Sequence, residues 1–398
     1  MLRNVVFIYV IQGLSYLIPL FEIPLLARRL GPENYGVLLI VQSASLLASA
    51  IVEYGFNLKS SREIAEHKEC KNKHSQIYWS VFSAKLILSM ICLIFLIGFL
   101  FFKSFNKELV ALGFLYFISF GFSVAWYYQG MGQLGFASTL DLSCRFISLI
   151  SIFIFLPENG SAVDAMMYMA SFSFASTLIT NFFAIKRFGV GGISFKDGCN
   201  EIVKGFHTFI YKGVSVGVNA ALPLFIGVTA GAKVVSNVIS AEKIIRAVVG
   251  LINPLFLVSY PFFVGNRKSV NQVKIEKLAI ISISFFALLL SITVAFFAEE
   301  IILFLLSKDF LDSVYILKFF CISIFLKIAC QAFVYFYFLP RKEDWLIAKI
   351  SILTGVSLFV IIFPLVKYFG VLGGVGSIVF SDGLAFLIYA WIFSRGKK

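Results

Sequence analysis

Runs of about twenty consecutive apolar residues recur along the whole of this 398-residue sequence, and each is long enough to cross the hydrocarbon core of a bilayer as a helix. No other feature constrains the fold so tightly. Backbone groups inside lipid must be satisfied within their own segment or in a closed barrel, and these runs are continuous rather than alternating. They predict helices. Windows of roughly 19 residues place twelve spans near 5–27, 36–57, 78–102, 109–130, 138–156, 162–185, 206–231, 234–264, 278–298, 314–338, 345–366 and 371–393. Charged residues are 14% of the chain, against about a quarter in soluble domains, so the sequence reads as an all-α membrane protein.

The first run is too long for the apolar core of a secretory leader, about 7 to 15 residues, and Ala27-Arg28-Arg29 follows it in place of a cleavage site. It is expected to stay attached. Basic residues cluster after alternate spans: Lys59, Arg62, Lys68, Lys71 and Lys73; Lys186, Arg187, Lys196 and Lys204; Arg267, Lys268, Lys274 and Lys277; Arg395, Lys397 and Lys398. This asymmetry predicts both termini on the cytoplasmic side. The net charge of +13 is therefore a topology signal, with anionic lipid as a secondary partner and no nucleic acid expected.

Ionisable residues inside the spans are the candidate functional groups, because charge at membrane depth is costly and faces a bundle interior or a wet cavity. Within 234–264 stand Glu242, Lys243, Arg246 and Asn253; Glu242 and Arg246 are one helical turn apart. Asp141 and Arg145 repeat that spacing in the fifth span. Two readings stand for these pairs: struts within the protein, or parts of a shared vestibule. Glu22 lies in a first span that also carries Gln12, Pro19 and Pro24; Lys327 and Asp382 lie deep in the tenth and twelfth. Arg145, Lys243, Arg246 and Lys327 are the candidates for an anionic substrate, since cations, and arginine above all, match phosphate oxygens. Glu22, Asp141, Glu242 and Asp382 are the candidates for coupling to protons or sodium.

Other features carry less chemistry. Leu30 to Gly36 reads as a turn, residues 57–76 as an amphipathic interfacial helix, and Lys85 as a snorkelling side chain. His67, His74 and His207 are expected at the cytoplasmic face in solvated or interfacial roles, and the six cysteines show neither disulfide nor metal spacing. Residues 191–205 read as a cytoplasmic linker between lobes at 1–190 and 206–398, with Pro19-Leu20-Phe21 faintly echoed by Pro223-Leu224-Phe225. No nucleotide-binding or zinc-protease pattern is present, and no cofactor is expected.

Several motifs together resemble the Wzx-type O-antigen flippases, in the superfamily that also holds multidrug MATE exporters and the lipid II flippase. They are Pro19 and Pro24, Leu30 to Glu33, Tyr35-Gly36, Tyr54 to Asn57, Arg62 to Ile64, Trp126 to Met131, Ala241 to Ile244, and Pro254 and Pro261. Ser236 departs from the pattern, standing where that family usually has glycine. The resemblance implies a MATE-like fold of two six-helix lobes in the bacterial inner membrane. Its implied substrate is a polyprenyl-diphosphate-linked oligosaccharide, with the head in a charged lumen and the tail in lipid; pathway polymerase and chain-length proteins are the implied partners. A MATE-like small-molecule exporter is an alternative. A polymerase or ligase of lipid-linked glycans is another, though it would be expected to carry a larger outer loop than the one at 299–313.

Overall fold

The computed structural model describes residues 2–102, 106–265 and 272–395. Arg267, Lys268, Lys397 and Lys398 lie outside them, as do the side chains of Gln12, Pro19, His207 and Pro261. Every regular element among the described residues is helical: α1 (Leu2–Glu53), α2 (Phe56–Glu66), α3 (Lys71–Phe102), α4 (Lys107–Gly121), α5 (Ala125–Gly130), α6 (Leu134–Phe155), α7 (Ala162–Phe188), α8 (Phe195–Thr229), α9 (Ala232–Gly265), α10 (Gln272–Phe296), α11 (Ala298–Leu305), α12 (Asp312–Phe333) and α13 (Asp344–Arg395). Nine helical stretches among these residues are long and apolar enough to cross a membrane, which makes this a multi-pass membrane protein. Two compact units divide at Leu224 and Phe225, within α8.

In the first unit α1 packs on α3, α4, α6 and α7. The expected turn at 30–36 narrows to one non-helical residue, Gly31 at φ 67°. Glycine adopts this conformation without a Cβ penalty, and Pro32 then restarts the helix with no N–H to satisfy. The break is tied to its surroundings. Arg29 donates to the Leu156 carbonyl at the end of α6, and Asn34 donates to the Gly160 carbonyl at 3.3 Å, just before the Ser161–Asp164 capping box that starts α7.

At the unit's other end, Trp126, Tyr127 and Tyr128 of α5 are fully buried beneath α2. Gly130 permits this contact, since a Cβ there would stand 2.5 Å from the Ser61 carbonyl oxygen. The single helix expected over 57–76 is divided: α2 ends at Glu66 and α3 starts at Lys71, with Phe56 and Ile64 of α2 buried and Arg62 and Glu66 exposed. His74 is buried against the Tyr127 ring rather than solvated. The start of α8 docks here too: Ser194 N–H donates to Ser83 Oγ at 3.1 Å, Phe209 stacks on Tyr54 at 4.4 Å, and Lys59 pairs with buried Glu201.

Lys85 corrects the snorkelling expectation. Its side chain is buried, and Nζ donates to the Ser123 carbonyl at 2.9 Å, where the chain leaves α4. A free carbonyl at a broken helix end draws the ammonium inward more strongly than the distant interface does.

In the second unit α12 is central, packed on α9, α10 and α13. It passes through one turn of π-helix, Val334–Phe338, into a 3-10 turn, Leu339–Arg341. Arg341 there clasps fully buried Glu276 of α10 with two bonds of 2.9 and 3.0 Å, while its guanidinium lies 3.7 Å from the Tyr337 ring centroid. Helix α13 breaks at Gly370, φ 58°, much as α1 breaks at Gly31.

Candidate functional site

A polar cavity of about 180 Å³ lies inside the first unit, between α4, α6 and α7. It has a charged wall and a hydroxyl wall. The charged wall is Asp141 and Arg145 of α6, joined as the one-turn spacing requires, with Arg145 Nε donating to Asp141 Oδ2 at 2.9 Å. The Arg145 guanidinium also lies 5.7 Å from the Phe120 ring centroid. Glu22, on α1, is half-buried.

The hydroxyl wall is a stripe on α7: Ser173, Ser176, Thr177 and Thr180. Spacings of three, one and three residues put all four on one helix face. That face is legible in the sequence as a polar stripe within an apolar span, although serine and threonine are also common where membrane helices pack closely. Its backbone partners are local, as with Thr180 Oγ1 donating to the Ser176 carbonyl at 2.9 Å, or cross the cavity floor, as with Thr177 Oγ1 donating to the Ser119 carbonyl at 2.7 Å.

The terminal nitrogens of Arg145 give the cavity its chemical character. Among the described residues its hydrogen-bonded partner is Asp141, held through Nε alone, so the outer fork of the guanidinium is left for a ligand. Two parallel N–H donors fit the oxygens of a phosphate or carboxylate. Asp141 meanwhile supplies a counter-charge that reduces the cost of holding the cation at membrane depth.

The remaining candidates are held differently. In the second unit Arg246 spends two nitrogens on Glu242 of its own helix, Nε at 3.0 Å and Nη2 at 2.6 Å from the same oxygen. Lys243 is half-buried beside them on α9. Lys327 of α12 and Asp382 of α13 form an inter-helix pair, with Nζ at 3.0 and 2.9 Å from the two carboxylate oxygens. The structure thus brings Asp141 to Arg145, Glu242 to Arg246, and Lys327 to Asp382. Sequence reasoning paired the first and second from their spacing, but had no signal for the third, whose members are 55 residues apart.

The family described as "Polysaccharide biosynthesis protein" matches residues 1–267. Two bacterial proteins, each named "Putative O-antigen transporter", are similar to the chain. One, from Escherichia coli strain K12, is 29% identical over 277 residues, 68% of this chain and 66% of that relative, so the match takes in slightly under two thirds of its length. The other, from Shigella dysenteriae, is 23% identical over 97% of this chain and 98% of its own. Among solved structures, the lipid II flippase MurJ in an inward closed conformation superposes with a TM-score of 0.72 at 15% identity, covering 97% of this chain and 87% of that one. An inward-facing multidrug MATE transporter of the MOP superfamily gives 0.65 at 16% identity over 97% and 96%. At such identities the likeness is one of fold.

Proposed function

The chain belongs to the polysaccharide biosynthesis protein family, and from that premise we propose that it is a flippase that carries a polyprenyl-diphosphate-linked oligosaccharide across the bacterial inner membrane. The single observation that carries the reading is the Arg145 fork, offered into a hydroxyl-lined cavity within a bundle of membrane helices. A diphosphate has the paired oxygens that match the fork, and sugars exchange hydrogen bonds with serine and threonine hydroxyls as water does. The names of the two relatives and the fold shared with a lipid II flippase support the same substrate class.

Twelve crossings follow if α1 and α13 each count as two across Gly31 and Gly370, α4 and α5 count as one, and α8 is included. With both termini cytoplasmic, 1–190 and 206–398 would hold six crossings each. Transport proceeds by exposing the cavity alternately to the two sides. Arg145 is the principal phosphate ligand, and Lys243, Arg246 and Lys327 are further cationic positions along the path. Glu22, Asp141, Glu242 and Asp382 are the groups through which a proton or sodium gradient would act. No step requires a covalent intermediate on the protein.

Proteoliposomes loaded with the lipid-linked oligosaccharide test the proposal, read as accessibility of the sugar to an added glycan-cleaving enzyme. Purified protein should raise the rate of leaflet exchange over protein-free vesicles, and the Arg145→Ala variant should lose most of that gain. Exchange no faster than in empty vesicles, with folded protein present, refutes it. If gradients of neither ion alter the exchange rate, and neutralising the four carboxylates leaves it unchanged, ion coupling is excluded.

A further inference from the structure

One of the stretches long enough to cross the membrane is broken. Residues 107–130 are apolar throughout, yet the chain leaves helical geometry between α4 and α5, at Phe122 (φ −98°, ψ 15°) and Val124 (φ −111°, ψ 23°). Such a break frees carbonyls that lipid cannot satisfy, so neighbouring side chains must. Three of them do. Thr177 Oγ1 of α7 donates to the Ser119 carbonyl at 2.7 Å, Asn181 Nδ2 of α7 to the Phe122 carbonyl at 3.1 Å, and Lys85 Nζ of α3 to the Ser123 carbonyl at 2.9 Å. Asn181 is itself steadied, its Oδ1 accepting from Tyr78 O–H at 2.5 Å.

Lys85 differs from the other two. Among the described residues no member of α3 lines the Arg145 cavity, whereas Ser119, Phe120, Ser123 and Ala125 of the broken segment do. Lys85 therefore reaches the cavity wall from behind. A fully buried amine is a costly way to satisfy one carbonyl, for which a neutral side chain would serve. What lysine adds is a firmer hold, because a charge-assisted bond is roughly twice as strong as a neutral one.

That hold falls on a residue whose hydroxyl is uncommitted. Ser119 Oγ donates to the Leu115 carbonyl at 2.7 Å, and Thr177 and Thr180 likewise give their protons to the Ser119 and Ser176 carbonyls. Ser123 Oγ instead accepts, from the Ala125 N–H at 3.5 Å, and among the described residues no acceptor takes its own proton. A serine on the same wall system as the Arg145 fork thus has a donor to offer and a backbone already fixed, so little freedom is lost when it binds.

We propose that the Ser123 hydroxyl donates to the phosphate held at Arg145, and that Lys85 is the positioning residue that sets it there by locking the carbonyl of the same residue. The assignment rests on reading the cavity as the phosphate site of a flippase. Lys85 itself touches no ligand and acts through Ser123.

The test titrates farnesyl diphosphate into full-length protein in nanodiscs, with dissociation constants read by calorimetry, and measures leaflet exchange of lipid-linked sugar separately in proteoliposomes. Ser123→Ala should weaken binding about tenfold, and so should Lys85→Met, which keeps the bulk of the side chain but loses the donor. The double variant should bind no worse than either single one, because both changes remove the same contact. Lys349→Met also removes a charge, but from an exposed position on α13, and should leave binding unchanged. If thermal unfolding shows that Lys85→Met does not fold, Lys85→Gln, whose amide falls one bond short, takes its place in the cycle. Wild-type affinity with a lowered melting temperature would assign Lys85 to stability alone and overturn the proposal, as would losses that multiply in the double variant or wild-type protein that binds no diphosphate. Variants that bind like the wild type, in a protein that exchanges lipid-linked sugar, overturn it and leave the flippase reading standing. Coupled loss of binding without any exchange does the reverse.

Discussion

Replacing Arg145 by lysine keeps the charge and removes the fork, which makes it a sharp test of how the cavity holds an anion. In the structure Nε is committed to Asp141 at 2.9 Å, so recognition would fall to the two terminal nitrogens. A lysine ammonium can meet either Asp141 or a phosphate well, and in meeting both it gives up one of the charge-assisted bonds. Such a bond is worth about 1.5–3 kcal/mol. The Arg145 side chain is 44% exposed, so solvent screening places the loss at the low end, about 1.5 kcal/mol, or roughly tenfold in affinity. The assay is initial exchange rate against the mole fraction of lipid-linked sugar in proteoliposomes, with thermal unfolding as a check on folding. Arg145→Lys should raise KM about tenfold, and Arg145→Ala should raise it further. Wild-type KM for lysine beside a raised KM for alanine would show that charge suffices and the fork is not used, and wild-type KM in both would remove Arg145 from the binding site.

Three further outcomes follow from the packing. Glu276→Ala leaves the Arg341 guanidinium without its buried partner and should destabilise the protein by about 3–5 kcal/mol in detergent unfolding; a loss below about 1 kcal/mol would contradict the bidentate geometry. Gly130→Ala forces a methyl against the Ser61 carbonyl and should cost about 1–3 kcal/mol, whereas Gly192→Ala, with open space around it, should be neutral in the same melt. Burial raises the Glu63 carboxyl above its ordinary range, Lys59 pulling against this and Glu201 adding to it. A carboxyl raised in the folded state binds its proton there more readily than in the unfolded chain, so its contribution to stability is present at low pH and declines as pH rises through the folded value. Glu63→Gln should flatten that decline just above the normal carboxylate range, and melting curves whose pH slope is unchanged or reversed would refute it.

Much of this architecture was readable residue by residue. Continuous apolar runs gave the helices because lipid leaves the backbone no other open form, and Gly31-Pro32 marked the first break by its own conformational chemistry. The Asp141–Arg145 and Glu242–Arg246 pairs were readable because helix spacing alone fixes them. Contacts that depend on distant chain were not. The glycines at 189, 191 and 192 suggested a free connection, yet α8 begins at Phe195 and is held by Glu201, whose partner Lys59 is 142 residues away. Lys85 looked like an interfacial side chain because nothing in its neighbourhood announces that α4 ends beside it. Glu276 and Arg341 carry no sequence signal for the same reason, each being ordinary until the π-turn after α12 brings them together.

The contact at Gly130 bears on how motion in this protein can be measured. With no gap between α2 and α5, neither can slide without the other, and the Tyr54–Phe209 stack adds the head of α8 to the same block. Spin labels at exposed Glu66 and Gln129 should therefore report one unchanging separation in every state of the working cycle. Such a pair is an internal ruler, against which label pairs placed elsewhere in the molecule can be calibrated.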